Sequence, residues 1–229
     1  MRKHNIHRIY LATLVLGIAY GISIALTALV LDEHGFGKTQ IGALAAVFAS
    51  GIVLASLPVG AIVRRFSARA TLGVATVGYA LAVIAFPWPH SMVGVGAVRF
   101  IDGACSVGIW VSAETVLLAQ SEKEKKAQVT SVYAIAMSIG YVVGPAIAYL
   151  VTAFLHLPMW VAFAVSGGIA LFALIPILSL TKDAQLAPPN GHVSAAEDEE
   201  SGGQTHDRTA PPSPWMHILW KIKTACFAT

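Results

Sequence analysis

Residues 9–31 read IYLATLVLGIAYGISIALTALVL, an apolar run without a single formal charge. The hydrocarbon core of a bilayer is about 30 Å thick and takes roughly 20 helical residues to cross. This run is long enough, and five more follow it, at residues 40–63, 70–88, 92–119, 127–153 and 158–180. Backbone amides in lipid must be satisfied within their own segment, so each run is read as a helix. The expected fold class is an all-α membrane protein with six transmembrane helices. The apolar part of a secretory signal is only about 7–15 residues long, so the first run is read as a retained helix.

Composition agrees with this reading. The chain has 229 residues, 56% hydrophobic and 12% charged, with a mean hydropathy of +0.69. Soluble domains carry roughly 25% charged residues. A net charge of +3 does not point to nucleic acid, because the cations are partitioned between connections. Arg2, Lys3 and Arg8 precede the first run, Arg64, Arg65 and Arg69 follow the second, Lys123, Lys125 and Lys126 follow the fourth, and Lys182 follows the sixth. The other three connections hold only Lys38. By the positive-inside rule both termini face the cytoplasm, as an even number of spans requires, and the expected location is the plasma (inner) membrane. Trp88 and Trp160 fall at the outer boundary, where amphipathic rings favour the headgroup layer. Short connections with Gly and Pro suggest that consecutive helices are antiparallel neighbours.

The expected domains are a cytoplasmic N-terminus at 1–8, the six-helix domain at 9–180, and two further segments. Residues 181–214 are rich in Pro, Gly, Ala and acid and read as a disordered cytoplasmic linker. Residues 215–229 turn apolar again at helical spacing and read as an amphipathic interfacial tail, or as the approach to a missing seventh span.

Only Arg99, Asp102 and Glu114 fall well inside the spans, all in the fourth. A charge at a helix centre costs about 2.5–3.5 kcal/mol, and each Leu, Ile, Phe or Val offsets about 0.3–0.6. The charged face of this helix should therefore point into the bundle. Arg99, Gly103, Val107, Trp110 and Glu114 share one stripe, and Arg99 and Asp102 are an i,i+3 pair. One reading is a titratable site in a polar cavity, with Asp102 or Glu114 carrying a proton and Arg99 as the fixed cation. The other is a structural Arg99–Asp102 pair with Glu114 snorkelling to the inner interface. In span five, Gly140 and Gly144 are spaced for close helix contact and Pro145 permits a kink. Gly17 and Gly21 repeat the spacing in span one, where it reads as packing.

The histidines His34, His90 and His156 cluster at outer ends and none lies inside a span. Cys105 and Cys226 have no metal-ligand spacing. The sequence has no GxSxG elbow, HExxH motif or Walker A loop. An enzyme, a metal and a cofactor are therefore not expected.

These features together resemble the N-terminal half of the major facilitator superfamily of secondary transporters. Residues 60–69, GAIVRRFSAR, are similar to the family's G-x-L-x-D-R-x-G-R-K/R loop. Gly60, Arg65 and Arg69 match it, Arg64 stands at the Asp position and Ser67 at the second Gly. Arg99-Phe-Ile-Asp102-Gly103 resembles the family's R-x-x-Q-G motif, whose Arg is implicated in proton coupling. Gly140-Tyr-Val-Val-Gly144-Pro145 is similar to the motif C of proton-linked antiporters, with Ala148 in place of a Gly.

The resemblance implies a gating loop at Gly60, Arg64, Arg65 and Arg69, and inverted three-helix repeats within the half. It also implies a substrate cavity lined by spans one, two, four and five. The expected activity is proton-coupled efflux of a small organic solute, with membrane lipid, protons and a second six-helix half or a homodimer as partners. The alternative is a non-transporting half-molecule, either a fragment or a subunit that assembles with another half.

Overall fold

The computed structural model describes residues 2–180, and among them every regular element is helical. The elements are α1 (Arg2–Glu33), α2 (Lys38–Phe66), α3 (Ala68–Ala85), α4 (Met92–Ala119), α5 (Lys126–Tyr149), α6 (Met159–Phe172) and α7 (Leu174–Leu178). A 3₁₀ turn at Lys123–Lys125 precedes α5, and a π-helical turn at Leu150–Phe154 prolongs it. With α6 and α7 joined, six helices are long and apolar enough to cross a membrane. The proposed linker and tail lie outside the described residues.

The ends differ from the sequence reading in two places. The first helix already begins at Arg2, so residues 2–8 are helical and continuous with the first span. The third stops at Ala85 because Pro87 and Pro89 have no amide with which to prolong it. The Phe86 amide instead closes a tight turn onto the Val83 carbonyl at 3.2 Å.

Pro176 likewise breaks the sixth span. It offers no N–H to the carbonyl four residues back, and the helix pauses at Ala173 between α6 and α7. Pro145, by contrast, sits within a helix that continues through it.

Side-chain caps set three of the helix starts. Gln40 Oε1 accepts from the Gly37 amide at 2.9 Å, Ser91 Oγ from Gly94 at 3.1 Å, and Ser67 Oγ from Ala70 at 3.3 Å. Each satisfies an amide that a helix start leaves without a partner. Ser67 is the single residue between α2 and α3, and the turn forces it to φ +103° and ψ 146°. That region is almost reserved for glycine and costs another residue about 1–3 kcal/mol.

Consecutive helices are mostly not each other's main neighbours, contrary to the expectation from short loops. The principal pairs are α1 with α5, α2 with α4, α3 with α4, α1 with α6 and α3 with α6. Exchanging α1 with α4, α2 with α5 and α3 with α6 maps this set onto itself. Since α1 and α4 run in opposite directions through the bundle, this is the pattern of two inverted three-helix repeats. The expected six-helix half is the observed fold.

Both symmetry-related crossings bring backbone against backbone. A Cβ on Gly140 would lie 2.5–2.6 Å from the backbone of Gly17 and Ile18, and one on Gly144 would lie 2.6 Å from Gly21 and Ile22. The two GxxxG pairs therefore face each other across α1 and α5. At the other crossing a Cβ on Gly103 would run into the Phe48 carbonyl, and one on Gly51 into the Phe100 carbonyl.

Backbone cannot yield as a side chain can, so Gly140→Ala should destabilise the purified protein by about 1–3 kcal/mol, the usual cost of overpacking. Gly168→Ala, inside α6 where a Cβ meets nothing within 4 Å, should hold or slightly raise its thermal midpoint in detergent. Equal midpoints for the two variants would contradict the crossing. At the α2–α3 turn, Ser67→Gly should raise stability by about 0.5–1 kcal/mol, because relief of the strained φ outweighs the lost cap and the added chain freedom. Ser67→Val should lower the midpoint, and a Val variant as stable as the Gly variant would refute the strain.

Candidate functional site

One turn of helix separates Arg99 from Asp102, and their side chains close an ion pair at 2.6 Å. They are 13% and 6% exposed, so each charge has lost most of its water and depends on the other. Two further groups hold the guanidinium. It stacks over the Phe48 ring of α2 at 4.3 Å and lies 5.9 Å from the Phe86 ring at the end of α3. A cation over an aromatic face is attracted by the ring quadrupole, more strongly where water is excluded.

The second carboxylate oxygen of Asp102 leads further into the bundle. Ser106 Oγ, one turn along α4, donates to Asp102 Oδ1 at 3.5 Å, the long limit of a hydrogen bond. Tyr20 of α1 donates its hydroxyl to Ser106 Oγ at 2.8 Å. Arg99, Asp102, Ser106 and Tyr20 thus form one polar thread, and Asp102, Ser106 and Tyr20 are buried.

Aromatic rings surround its inner end. Tyr20 packs on Tyr79 of α3 at 4.2 Å, on Trp110 at 6.0 Å and edge-on to Tyr141 of α5 at 6.3 Å. Four helices contribute to the cluster. The Trp110 indole N–H is buried without a hydrogen-bond partner among the described residues.

Of the sequence-predicted residues, Arg99 and Asp102 come together and Glu114 does not join them. Glu114 lies on an exposed face of α4, about 22 Å along the helix from Arg99 at 1.5 Å per residue. Gly140 and Gly144 are at the α1 crossing, with Pro145 beside them in α5. Sequence reasoning missed Phe48, Tyr20 and Tyr79, which reach the thread only through tertiary packing. It missed Ser106 too, although a hydroxyl four residues from Asp102, on the same helical face, was the signal that could have found it.

The loop arginines lie apart from this thread. Arg64 and Arg65 are exposed, and Arg65 sits over the Phe66 ring at 5.5 Å. Gly60 is one turn before Arg64, whose guanidinium a Cβ there would meet at 3.9 Å. Arg69 donates to the Leu178 carbonyl and Arg8 to the Ser179 carbonyl. Those carbonyls end the sixth span, where intrahelical donors have run out and cations are favoured.

Residues 9–226 match the profile of the Major Facilitator Superfamily. No curated protein matches the chain. The family match takes in all of α2 to α7 and most of α1, and it agrees with six spans in two inverted repeats. The chain belongs to the major facilitator superfamily.

Proposed function

We propose that this chain forms the N-terminal half of a proton-coupled transporter that exports a small organic solute, with Asp102 as the proton carrier and Arg99 as its fixed counter-charge. The observation that carries the reading is the buried Arg99–Asp102 pair, tied through Ser106 to Tyr20 of another helix. Ionisable groups inside a membrane domain are costly, and their usual return is function.

Protonating Asp102 would remove one member of that pair and leave the Arg99 charge buried alone. Breaking a buried pair costs about 3–5 kcal/mol. At about 1.36 kcal/mol per factor of ten, that is enough to shift a conformational equilibrium by a factor of a hundred or more. Proton binding and helix rearrangement are coupled in this way. Glu114 is exposed and distant, which favours Asp102 as the carrier.

In this family two six-helix halves face each other across the substrate. The described helices supply one wall, and α2 and α5 are its least buried spans. A second six-helix half, in one longer polypeptide or in another copy, is the proposed opposite wall. The efflux direction and antiport mechanism rest on the motif resemblance at Gly140–Gly144–Pro145.

Proteoliposomes that hold the chain together with a second six-helix half, under an imposed pH gradient, test the coupling against a panel of fluorescent organic solutes. Wild-type flux should collapse on adding a protonophore. Arg99→Ala should abolish flux while inserting normally, and Asp102→Asn should leave exchange that ignores the gradient. Normal gradient-driven flux in Arg99→Ala would refute the coupling role. The lone chain should insert but move nothing, because its cavity lacks the opposite wall. A stable monomer with saturable, gradient-driven flux would refute the half-transporter reading. No flux even with a second half present would favour the non-transporting alternative.

The proposed orientation, in the plasma membrane with cytoplasmic termini, has its own test. In a background lacking Cys105 and Cys226, single cysteines at His34, His90 and His156 should react with an impermeant maleimide in intact cells. Cysteines at Ser67 and Glu124 should react only after lysis. Labelling of the second pair in intact cells would reverse the topology.

A further inference from the structure

Two grooves run along α3. One, of about 720 Å³, lies between α3 and α7, with Arg69, Gly73, Val77 and Leu174 in its walls. The other, of about 560 Å³, lies among α2, α3 and α4, with Pro58, Ile62, Gly78 and Cys105 in its walls. Phe66, Ala70 and Val74 line both, so the two form one apolar trough around the exposed side of α3.

Three cations stand at one end of this trough. Arg69 lines it and is held in place by its bond to the Leu178 carbonyl. Arg65 sits over the ring of Phe66, and Arg64 is exposed beside it. No acidic residue occurs between Glu33 and Asp102. The two ion pairs among the described residues, Arg99–Asp102 and Lys125–Glu122, involve none of the three.

Depth matches as well as charge. From Arg69 to Gly78 the helix rises about 13.5 Å, close to the ~15 Å of one hydrocarbon leaflet. The cations therefore stand at headgroup depth and the apolar trough at acyl-chain depth.

We propose that this trough is a binding site for an anionic phospholipid, its phosphate held by Arg64, Arg65 and Arg69 and its chains laid along α3. Basic pockets at the ends of transmembrane helices recognise such headgroups through charge. A free phosphate would use the arginines but leave the trough unexplained. An apolar helix of a second copy would use the trough but leave three cations unanswered. The site is separate from the Arg99–Asp102 thread and does not depend on the coupling mechanism.

Native mass spectrometry of the purified chain in detergent, titrated with dioleoyl-phosphatidylglycerol or dioleoyl-phosphatidylcholine, tests the site. Phosphatidylglycerol should bind at least tenfold tighter than phosphatidylcholine. Arg64→Gln combined with Arg65→Gln should weaken it about 25-fold, or fivefold per arginine, and leave phosphatidylcholine unaffected. Arg69 is kept because it also holds the end of the sixth span.

Gly73→Leu with Val74→Trp fills the trough and should weaken both lipids about tenfold with every arginine present. A Cβ at Gly73 meets nothing within 4 Å, and Val74 is 74% exposed, so the fold should tolerate both changes. Asp102→Asn should bind lipid as the wild type does, which separates this site from the coupling reading.

Equal affinity for the two lipids would overturn the proposal. So would wild-type binding by the filled variant, which would mean surface charge alone, or displacement of phosphatidylglycerol by water-soluble glycerol phosphate. Lipid binding that appears only after Glu197, Asp198, Glu199 and Glu200 are changed to amides would instead assign the cations to the chain's own acidic stretch.

Discussion

Where Gly17 and Gly21 of α1 meet Gly140 and Gly144 of α5, no side chain separates the two backbones. Lipid tails are as apolar as leucine, so helices in a bilayer gain little from simply hiding apolar surface. They associate through close packing, which small residues make possible. The second crossing repeats the device with Gly51 and Gly103. Between them the two crossings fix what surrounds the polar thread. Phe48, whose carbonyl lies against Gly103, is the residue whose ring carries the Arg99 guanidinium. Tyr20 and Tyr141 adjoin Gly21 and Gly140, so the α1–α5 crossing also sets the aromatic contact between them. Packing and electrostatics are here one arrangement.

The six spans were legible because crossing a bilayer imposes a length and a composition that few other structures share. The Arg99–Asp102 pair was legible for a different reason: residues three apart on a helix are neighbours whatever the tertiary fold. Helix adjacency was not. Short connections suggested that α1 lies against α2, whereas its main partner is α5. The spans are apolar on nearly every side, so the sequence hardly distinguishes a lipid-facing residue from a buried one. Only glycine spacing marked a contact face, and it did so without naming the partner. Tyr20 and Phe48 look like ordinary apolar-span residues until α1 and α2 are placed beside α4. For Glu114 the sequence left two readings open, a proton carrier or a side chain snorkelling to the inner interface, because a helical stripe does not show which of its ends is buried. The structure puts Glu114 at the exposed end.

Substitutions in the α2–α3 loop change its physical character as a set. With Arg64 where the family pattern has an acid, the turn carries cations without a local counter-charge. With Ser67 where the pattern has glycine, the turn keeps its shape at a backbone cost while gaining a cap for α3. Arg69, meanwhile, ties one guanidinium nitrogen to the end of the sixth span. The loop thus connects three helices mechanically and still presents a basic surface at one membrane face.

The inverted pairing has a consequence for how such a chain is made. The α2–α4 crossing joins residues about 50 apart in sequence, from Gly51 to Gly103, whereas the α1–α5 crossing waits for about 120 residues, from Gly21 to Gly144. At synthesis rates of about 5–20 residues per second, α1 would stay in the membrane for roughly 6–25 s before its partner emerges. It must therefore survive alone, and its uncharged stretch at 9–31 suits a helix that spends its first seconds surrounded only by lipid or by the insertion machinery. The polar burden falls on α4 instead, which is translated when α2 and α3 are already available to shelter its charges.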